Sequence, residues 1–127
     1  MSDILTIVRT MILNNPTIQC DVKYGFLAAK PDDMISVRFI EGDDSIRFFN
    51  SNNGGTSPGI YKPRIRITTR SKDYAKAYQW ADAIRKMFQN KIDNQTALFL
   101  DGDIYDAGYD EDNRKEFELT FRSLIVS

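Results

Sequence analysis

The chain contains 127 residues, of which 42% are hydrophobic, and it carries a net charge of −1 at neutral pH. These values predict a single globular domain over residues 1–127 and argue against a general nucleic-acid binder, which is usually strongly basic. Because histidine is absent, Ser-His-Asp and Cys-His relays and histidine-containing metal sites are excluded. Cys20 is the only cysteine, which excludes an intrachain disulfide. No signal peptide and no membrane-spanning segment are expected, because no long apolar run occurs.

The first half of the chain predicts one helix followed by short strands. Apolar residues recur every three or four positions near the N-terminus, with Ser2 placed as the N-cap and Pro16 just past the end. Farther along, Ile35, Val37 and Phe39 alternate with polar residues, as in a half-buried strand. The predicted elements are a helix over 3–14, a short strand over 23–27, a turn over 30–33, a strand over 35–39, its hairpin partner over 45–49 and a polar exposed loop over 50–59.

The second half predicts a strand, a long helix and two further strands. Ile65, Ile67 and Thr69 alternate with arginines, which predicts a strand with one apolar face, and Ser71 is placed to cap the following helix. The predicted elements are a strand over 63–70, a helix over 72–90, a strand over 96–100, an acidic loop over 101–113 and a closing strand over 117–126. This order predicts an α+β fold, in which a mostly antiparallel or mixed sheet packs one face against a short N-terminal helix and one long helix.

Charge is unevenly distributed along the chain. Residues 56–91 contain nine Lys or Arg and two Asp or Glu, a net charge of +7, whereas residues 92–127 contain three and nine, a net charge of −6. Antiparallel pairing of these two blocks would neutralise them internally. Blocks that face outward on different sides would instead favour head-to-tail self-association, which closes into a ring when the rotation between subunits allows it.

Two clusters of charged side chains are candidates for contact with a partner. One is the row of arginines that shares a face of the predicted strand over 63–70, where it could bind phosphates or pair with carboxylates across an interface. The other is the start of the acidic loop. The candidate interface residues are Arg64, Arg66, Arg70, Asp101, Asp103 and Asp106.

The carboxylates of the acidic loop also raise the alternatives of a divalent-cation site or a carboxylate-dependent nuclease, because oxygen ligands suit Ca²⁺ and Mg²⁺. An EF-hand loop that began at Asp101 would need Gly at its sixth position and Glu at its twelfth, where the chain has Asp106 and Asp112. The match fails where the geometry is strictest. We therefore expect no metal, no cofactor, no catalytic residues and no enzymatic activity.

Three segments carry a family resemblance by their order and spacing. The strand over 63–70 begins Pro-x-Ile-x-Ile-x-x-Arg, and the long helix begins with Asp-Tyr-x-x-Ala at Asp73. The approach to the last strand, from Gly108 to Phe117, has the pattern Gly-x-Asp-Glu-x-x-Arg-x-x-Phe. In these features the chain resembles the tail terminator proteins of long-tailed bacteriophages, also called tail completion or minor capsid proteins.

The resemblance implies a structural virion protein. It implies a homo-oligomer, a six-membered ring, which caps the tail tube, stops its polymerisation and joins the tail to the head. The implied partners are the tail tube protein and a head-connector or neck protein, with no membrane and with DNA only passing through the ring lumen. The implied location is the tail-neck junction of the virion, after assembly in the host cytoplasm. A head-completion (stopper) neck protein, a metal-binding module or nuclease, and a nucleic-acid binder remain as alternatives.

Overall fold

The computed structural model describes residues 4–40, 60–61, 64–89, 91–92 and 96–126. Within these residues the chain forms two helices and eight strands. Their bounds are α1 (Ile4–Leu13), β1 (Asp21–Tyr24), β2 (Met34–Ile40), β3 (Ile60–Tyr61), β4 (Arg64–Ser71), α2 (Tyr74–Phe88), β5 (Lys91–Ile92), β6 (Thr96–Leu100), β7 (Tyr105–Tyr109) and β8 (Lys115–Val126). The predicted strand over 45–49 and the polar loop over 50–59 lie outside the described residues.

The described strands form one sheet in which β8 has the most partners. The strand order is β1-β2-β4-β8-β6-β5, and β3 and β7 pair with further stretches of β8. β1 and β2 run parallel, whereas the other described pairings are antiparallel. This arrangement confirms the predicted α+β class with a mixed sheet. Neither helix is long and apolar enough to cross a membrane, as far as the described residues extend.

Both helices pack against the same face of the sheet. Side chains that alternate along the inner strands, such as Ile35, Ile67 and Leu119, are fully buried in the core between sheet and helices. Two alanines of α2 allow the helix to approach closely, and Thr69 Oγ1 donates a hydrogen bond to the Ala77 carbonyl at 2.9 Å. The helices contribute to the core Ile4, Leu5, Val8, Ile12, Ala77, Trp80, Ala81, Ile84 and Phe88.

The start of α2 differs from the prediction. The N-cap is Asp73, whose carboxylate accepts the N–H of Ala75 at 3.0 Å, so the prediction of Ser71 as the cap is wrong. Ser71 is the last residue of β4, and its hydroxyl donates to Asp33 at 2.7 Å while it accepts the Asp73 N–H at 3.1 Å. A serine two residues before the cap is therefore committed to a tertiary contact that the local pattern does not reveal.

Three strands also differ in extent or exposure from the prediction. β1 ends at Tyr24, because Gly25 has a φ of +84° that does not continue a strand, so the strand overlaps the predicted range 23–27 only at residues 23 and 24 and begins two residues earlier. β2 is buried on both faces over residues 34–37, because residues 25–33 fold back across the sheet. The predicted acidic loop 101–113 contains β7, which pairs with β8.

Candidate functional site

The sheet face that the helices leave uncovered is called the open face below. Along β4 and β8, the side chains that alternate with core residues lie on this face. They are Arg64, Arg66, Thr68, Arg70, Glu116, Glu118, Thr120 and Arg122. The register places Arg70 opposite Glu116 and Thr68 opposite Glu118. The basic and acidic blocks of the sequence are thus neighbours in one sheet, which supports their partial neutralisation within the chain.

Arg70 lies inside the protein at one end of the open face. It is 3% exposed, and its guanidinium donates from Nη2 to the Pro31 carbonyl at 2.6 Å and from Nε to the Asp32 carbonyl at 3.2 Å. Burial lowers the pKa of Arg70 and raises the pKa of Glu116 opposite it. Arg70 therefore holds residues 25–33 over the sheet. Because its guanidinium is buried, Arg70 is not available to a partner, and only Arg64 and Arg66 remain as candidates in the arginine row.

Arg114 fastens the same segment to the turn between β7 and β8. It is 6% exposed, and it donates from Nε to Asp110 Oδ2 at 2.7 Å and from Nη1 to the Ala29 carbonyl at 2.5 Å. Asp110 also accepts the N–H groups of Asp112 and Arg114, each at 2.9 Å. Burial raises the pKa of Asp110, but the hydrogen bonds outweigh this effect and leave the pKa below its ordinary value. The two arginines thus tie two separate loops to one end of the sheet.

The other end of the open face carries Arg64 and Arg66. Nη2 of Arg64 lies 3.7 Å from Oδ2 of Asp101, and Arg66 lines a groove together with Asp101 and Asp103. Nε of Arg66 is buried, and the described residues supply it with no hydrogen-bond partner. Four of the six predicted candidates therefore adjoin within one chain and form a single mixed surface, namely Arg64, Arg66, Asp101 and Asp103.

Asp106 is separated from that surface, on the side of β7 toward α2. Its carboxylate accepts a hydrogen bond from Nζ of Lys115, and this bond lowers the pKa of Asp106. The same Nζ lies 4.7 Å from the ring centroid of Tyr109 and 5.2 Å from those of Tyr74 and Phe117. Asp106 thus has an intrachain role, in which it secures the β7-β8 hairpin against the start of α2.

Two further arginines belong to the open face, although the sequence did not single them out. Arg38 is the register partner of Arg66, and Arg122 is the register partner of Arg64. The guanidinium of Arg38 lies 4.7 Å from the ring centroid of Phe26. Strand alternation in the sequence could have placed Arg38 and Arg122 on a polar face. Only the pairing of β2, β4 and β8 brings them next to Arg64 and Arg66.

Several carboxylates in the segment 101–113, which the sequence predicted as an acidic loop, accept hydrogen bonds from nearby backbone N–H groups. Asp103 accepts the N–H of Ile104 at 2.7 Å, and Asp106 accepts the N–H of Gly108 at 2.8 Å. The contact of Asp106 with the N–H two residues farther on is an Asx turn, whereas Asp103 accepts the N–H of the next residue. Within the described residues, no group of three or more potential ligands is arranged to hold a metal ion.

The residues that carried the family resemblance have structural tasks. Asp73 caps α2, and the Ala77 that follows it is buried against Thr69. Arg70 and Arg114 hold residues 25–33, while Phe117 is buried in the core. These positions of the shared pattern therefore maintain the fold.

Comparison with known proteins gives one family. The sequence model of the family described as "Bacteriophage tail terminator protein" matches residues 10–126. Among solved structures, a chain from "Virion of native gene transfer agent (GTA) particle" is similar in fold, with a TM-score of 0.59 and 12% identity over 99% of this chain and 100% of that chain. No individually curated protein matches significantly. Because the family match covers nearly the whole chain, this protein belongs to the bacteriophage tail terminator family and is a structural component of the phage tail.

Proposed function

We propose that this protein forms a ring on the end of the phage tail tube, stops tube polymerisation and joins the tail to the head connector. The single observation that carries the proposal is the family match over residues 10–126. A growing tube end offers a repeating docking surface, so a ring that binds this surface without presenting it again ends growth. This action requires shape and contact only, and no covalent step.

The same proposal gives the ring two neighbours, the tail tube protein on one side and a head-connector or neck protein on the other. DNA passes through the lumen and is not held there, since a strongly basic lumen would retard the phosphate backbone. We place Arg64 and Arg66, with Asp101 and Asp103 beside them, on a surface contacted by another protein subunit. Their location in a surface groove, at the end of the open face that the other described residues leave exposed, supports this assignment.

Polymerisation of the purified tube protein, with and without this protein, tests the proposed capping. We expect electron microscopy to show short tubes with a ring at one end when this protein is present, and longer uncapped tubes when it is absent. Unchanged tube lengths, with this protein bound to isolated heads, would instead assign it to the stopper class of neck proteins.

The surface assignment has its own test. Arg64→Glu combined with Arg66→Glu should prevent ring assembly and tube capping, and the milder Arg66→Gln should weaken both. Lys86→Glu is the matched control, because Lys86 lies on α2, away from the open face, and its side chain is 69% exposed. Thermal unfolding of every variant shows whether it is folded, and folded double variants that still cap tubes would disprove the assignment.

A further inference from the structure

Four arginines form a compact patch at the end of the open face that, among the described residues, neither a helix nor the segment 25–33 covers. Arg38 and Arg66 are register partners on β2 and β4, and Arg64 and Arg122 are register partners on β4 and β8. With strands spaced about 4.8 Å apart and alternate residues about 7 Å apart, the patch measures about 10 Å by 7 Å. These four residues are called the arginine quartet.

The quartet has an electrostatic cost within the chain. Like charges placed directly opposite each other destabilise a strand pair, and the quartet contains two such pairs. The structure offsets the cost in part, because Asp101 lies 3.7 Å from Arg64 and Phe26 stacks against Arg38. Nε of Arg66 nevertheless remains buried without a hydrogen-bond partner in the described part of the chain. An anionic group placed over the quartet would relieve the repulsion.

Exposed carboxylates occur at the opposite end of the same sheet. The turn between β7 and β8 carries Glu111 and Asp112, both exposed, just before Lys115. Oδ2 of Asp112 lies 3.2 Å from Nη2 of Arg114, but the Asp112 side chain is still 69% exposed. The nearer row of the quartet lies level with Thr120, the register partner of Arg66, and from Lys115 to Thr120 strand β8 extends about 17 Å at about 3.4 Å per residue. The turn therefore cannot reach the quartet of its own chain. A second copy, placed head to tail, can bring its turn to that position.

We propose that the arginine quartet of one subunit binds Glu111 and Asp112, the exposed carboxylates in the turn over residues 110–113, of the next subunit. The inference rests on the proposed ring and names the contact that builds it. The two surfaces differ and lie at opposite ends of the subunit, so the contact is heterologous and can repeat around a closed ring. Arg114 and Asp110 hold the turn rigid, which lowers the entropy lost on binding.

The surroundings of the quartet favour a protein partner over nucleic acid. Phe99, the register partner of Arg122, is 38% exposed, and Tyr105 is 64% exposed nearby. Exposed aromatic side chains beside arginines are typical of protein interfaces. Asp101 and Asp103 border the same surface, and they would repel a long polyanion that extended beyond the quartet.

Two neutralised variants test the contact from both sides. The quartet variant is Arg66→Gln with Arg122→Gln, and the turn variant is Glu111→Gln with Asp112→Asn. The turn variant loses the ion pair between Asp112 and Arg114, but Arg114 keeps its bonds to Asp110 and to the Ala29 carbonyl, and thermal unfolding checks that the turn variant is folded. Each should lower the self-association constant at least about tenfold in sedimentation experiments, because close charge pairs across interfaces have substantial coupling energies. Lys86→Gln is the control, and it should associate as the original chain does.

Mixing the two variants gives the sharper result. In an equimolar mixture, the intact turn of the quartet variant can bind the intact quartet of the turn variant. The other two surfaces of this pair, a neutralised quartet and a neutralised turn, cannot bind a further subunit in the same way. We expect heterodimers that do not extend into rings. A mixture that stays monomeric, or either variant forming rings alone with unchanged affinity, would overturn the inference.

The outcomes separate this inference from the proposed function. If the original chain forms rings on tubes and both variants keep them, the ring stands and only the named contact fails. If the original chain neither self-associates nor caps tubes at low or high salt, the proposed function fails. Salt-dependent binding of a DNA oligonucleotide that the quartet variant loses, without any change in self-association, would assign the quartet to nucleic acid and overturn the protein contact.

Discussion

Replacement of the buried Arg114 by methionine is the most informative single perturbation of this fold. Methionine retains much of the apolar length of arginine but removes every guanidinium hydrogen bond. Two of these bonds are short, to Asp110 at 2.7 Å and to the Ala29 carbonyl at 2.5 Å. Because Arg114 is 6% exposed, water replaces these partners poorly, and the Asp110 carboxylate loses its counter-charge.

The expected loss of stability follows from those contacts. Hydrogen bonds to charged groups contribute about 1.5 to 3 kcal/mol each, and breaking a buried ion pair costs about 3 to 5 kcal/mol. Asp110 keeps its backbone N–H donors, so the lower part of this range applies. We therefore expect Arg114→Met to lower the free energy of unfolding by about 3 kcal/mol, or the unfolding midpoint by about 10 °C for a domain of this size.

The assay is thermal and urea unfolding, with hydrogen exchange as a local readout. Arg85→Met is the matched control, since Arg85 pairs with Asp82 on the surface of α2 and surface pairs contribute little. In Arg114→Met, amide exchange should accelerate in residues 25–33 and 110–113 before it does so elsewhere. A midpoint shift no larger than that of the control would refute the view that Arg114 is an internal anchor.

Three further predictions concern the core, the titrating groups and the thiol. Ala81→Leu should lower the free energy of unfolding by about 1 to 3 kcal/mol through overpacking between α2 and the sheet, whereas Ala75→Leu on the exposed side of α2 should change it little in urea unfolding. The pKa of Asp110 is depressed in the folded chain, so this carboxylate stabilises the fold above its unfolded pKa of about 3.9, and the stabilisation is lost as pH falls through the folded pKa. Asp110→Asn should therefore make the free energy of unfolding less dependent on pH in acid. Burial is the chief cause of the raised pKa of Glu116, and its effect on stability is opposite to that of Asp110. The protonated form is favoured in the fold, so the contribution to stability is fully present below about pH 4.3 and is lost as pH rises through the folded pKa. Glu116→Gln should therefore increase the free energy of unfolding at neutral pH. Burial raises the pKa of Cys20 to about 12, so alkylation of the folded chain should be slow. At pH 8, iodoacetamide should react at least about a hundredfold more slowly than with the unfolded chain, and comparable rates would contradict the raised pKa of this partly buried thiol.

Local patterns predicted the elements well where a single period dominates. The three-to-four spacing near the N-terminus predicted a helix over 3–14, which is observed as Ile4–Leu13. The two-residue alternation of Ile65 and Ile67 correctly separated the core face of β4 from its arginine face. These features are readable because neighbouring residues on one element decide them. The capping of α2 was misassigned because Ser71 is engaged by Asp33, which is far away in the sequence.

The sequence predicted which charged residues belong to the candidate site but not which of them lie next to each other. The sequence identified a basic row and an acidic loop, and it left open whether the two would meet within the chain. Antiparallel pairing of β4 with β8 joins them, and it places Arg70 in the interior. The quartet also includes Arg38 and Arg122, which belong to strands distant in the sequence.

What the sequence by itself determined is the α+β class, the positions of the two helices and of the strands β2, β4, β6 and β8, and most of the side chains that face the helices, because hydrophobic periodicity is a local property. Only the tertiary structure decided which charges meet. Arg114 reaches the carbonyl of Ala29, and Arg38 comes to lie beside Arg66, through pairings that join distant segments. Coulomb and hydrogen-bond energies depend on separations of a few ångströms in space, and spacing along the chain does not specify these distances.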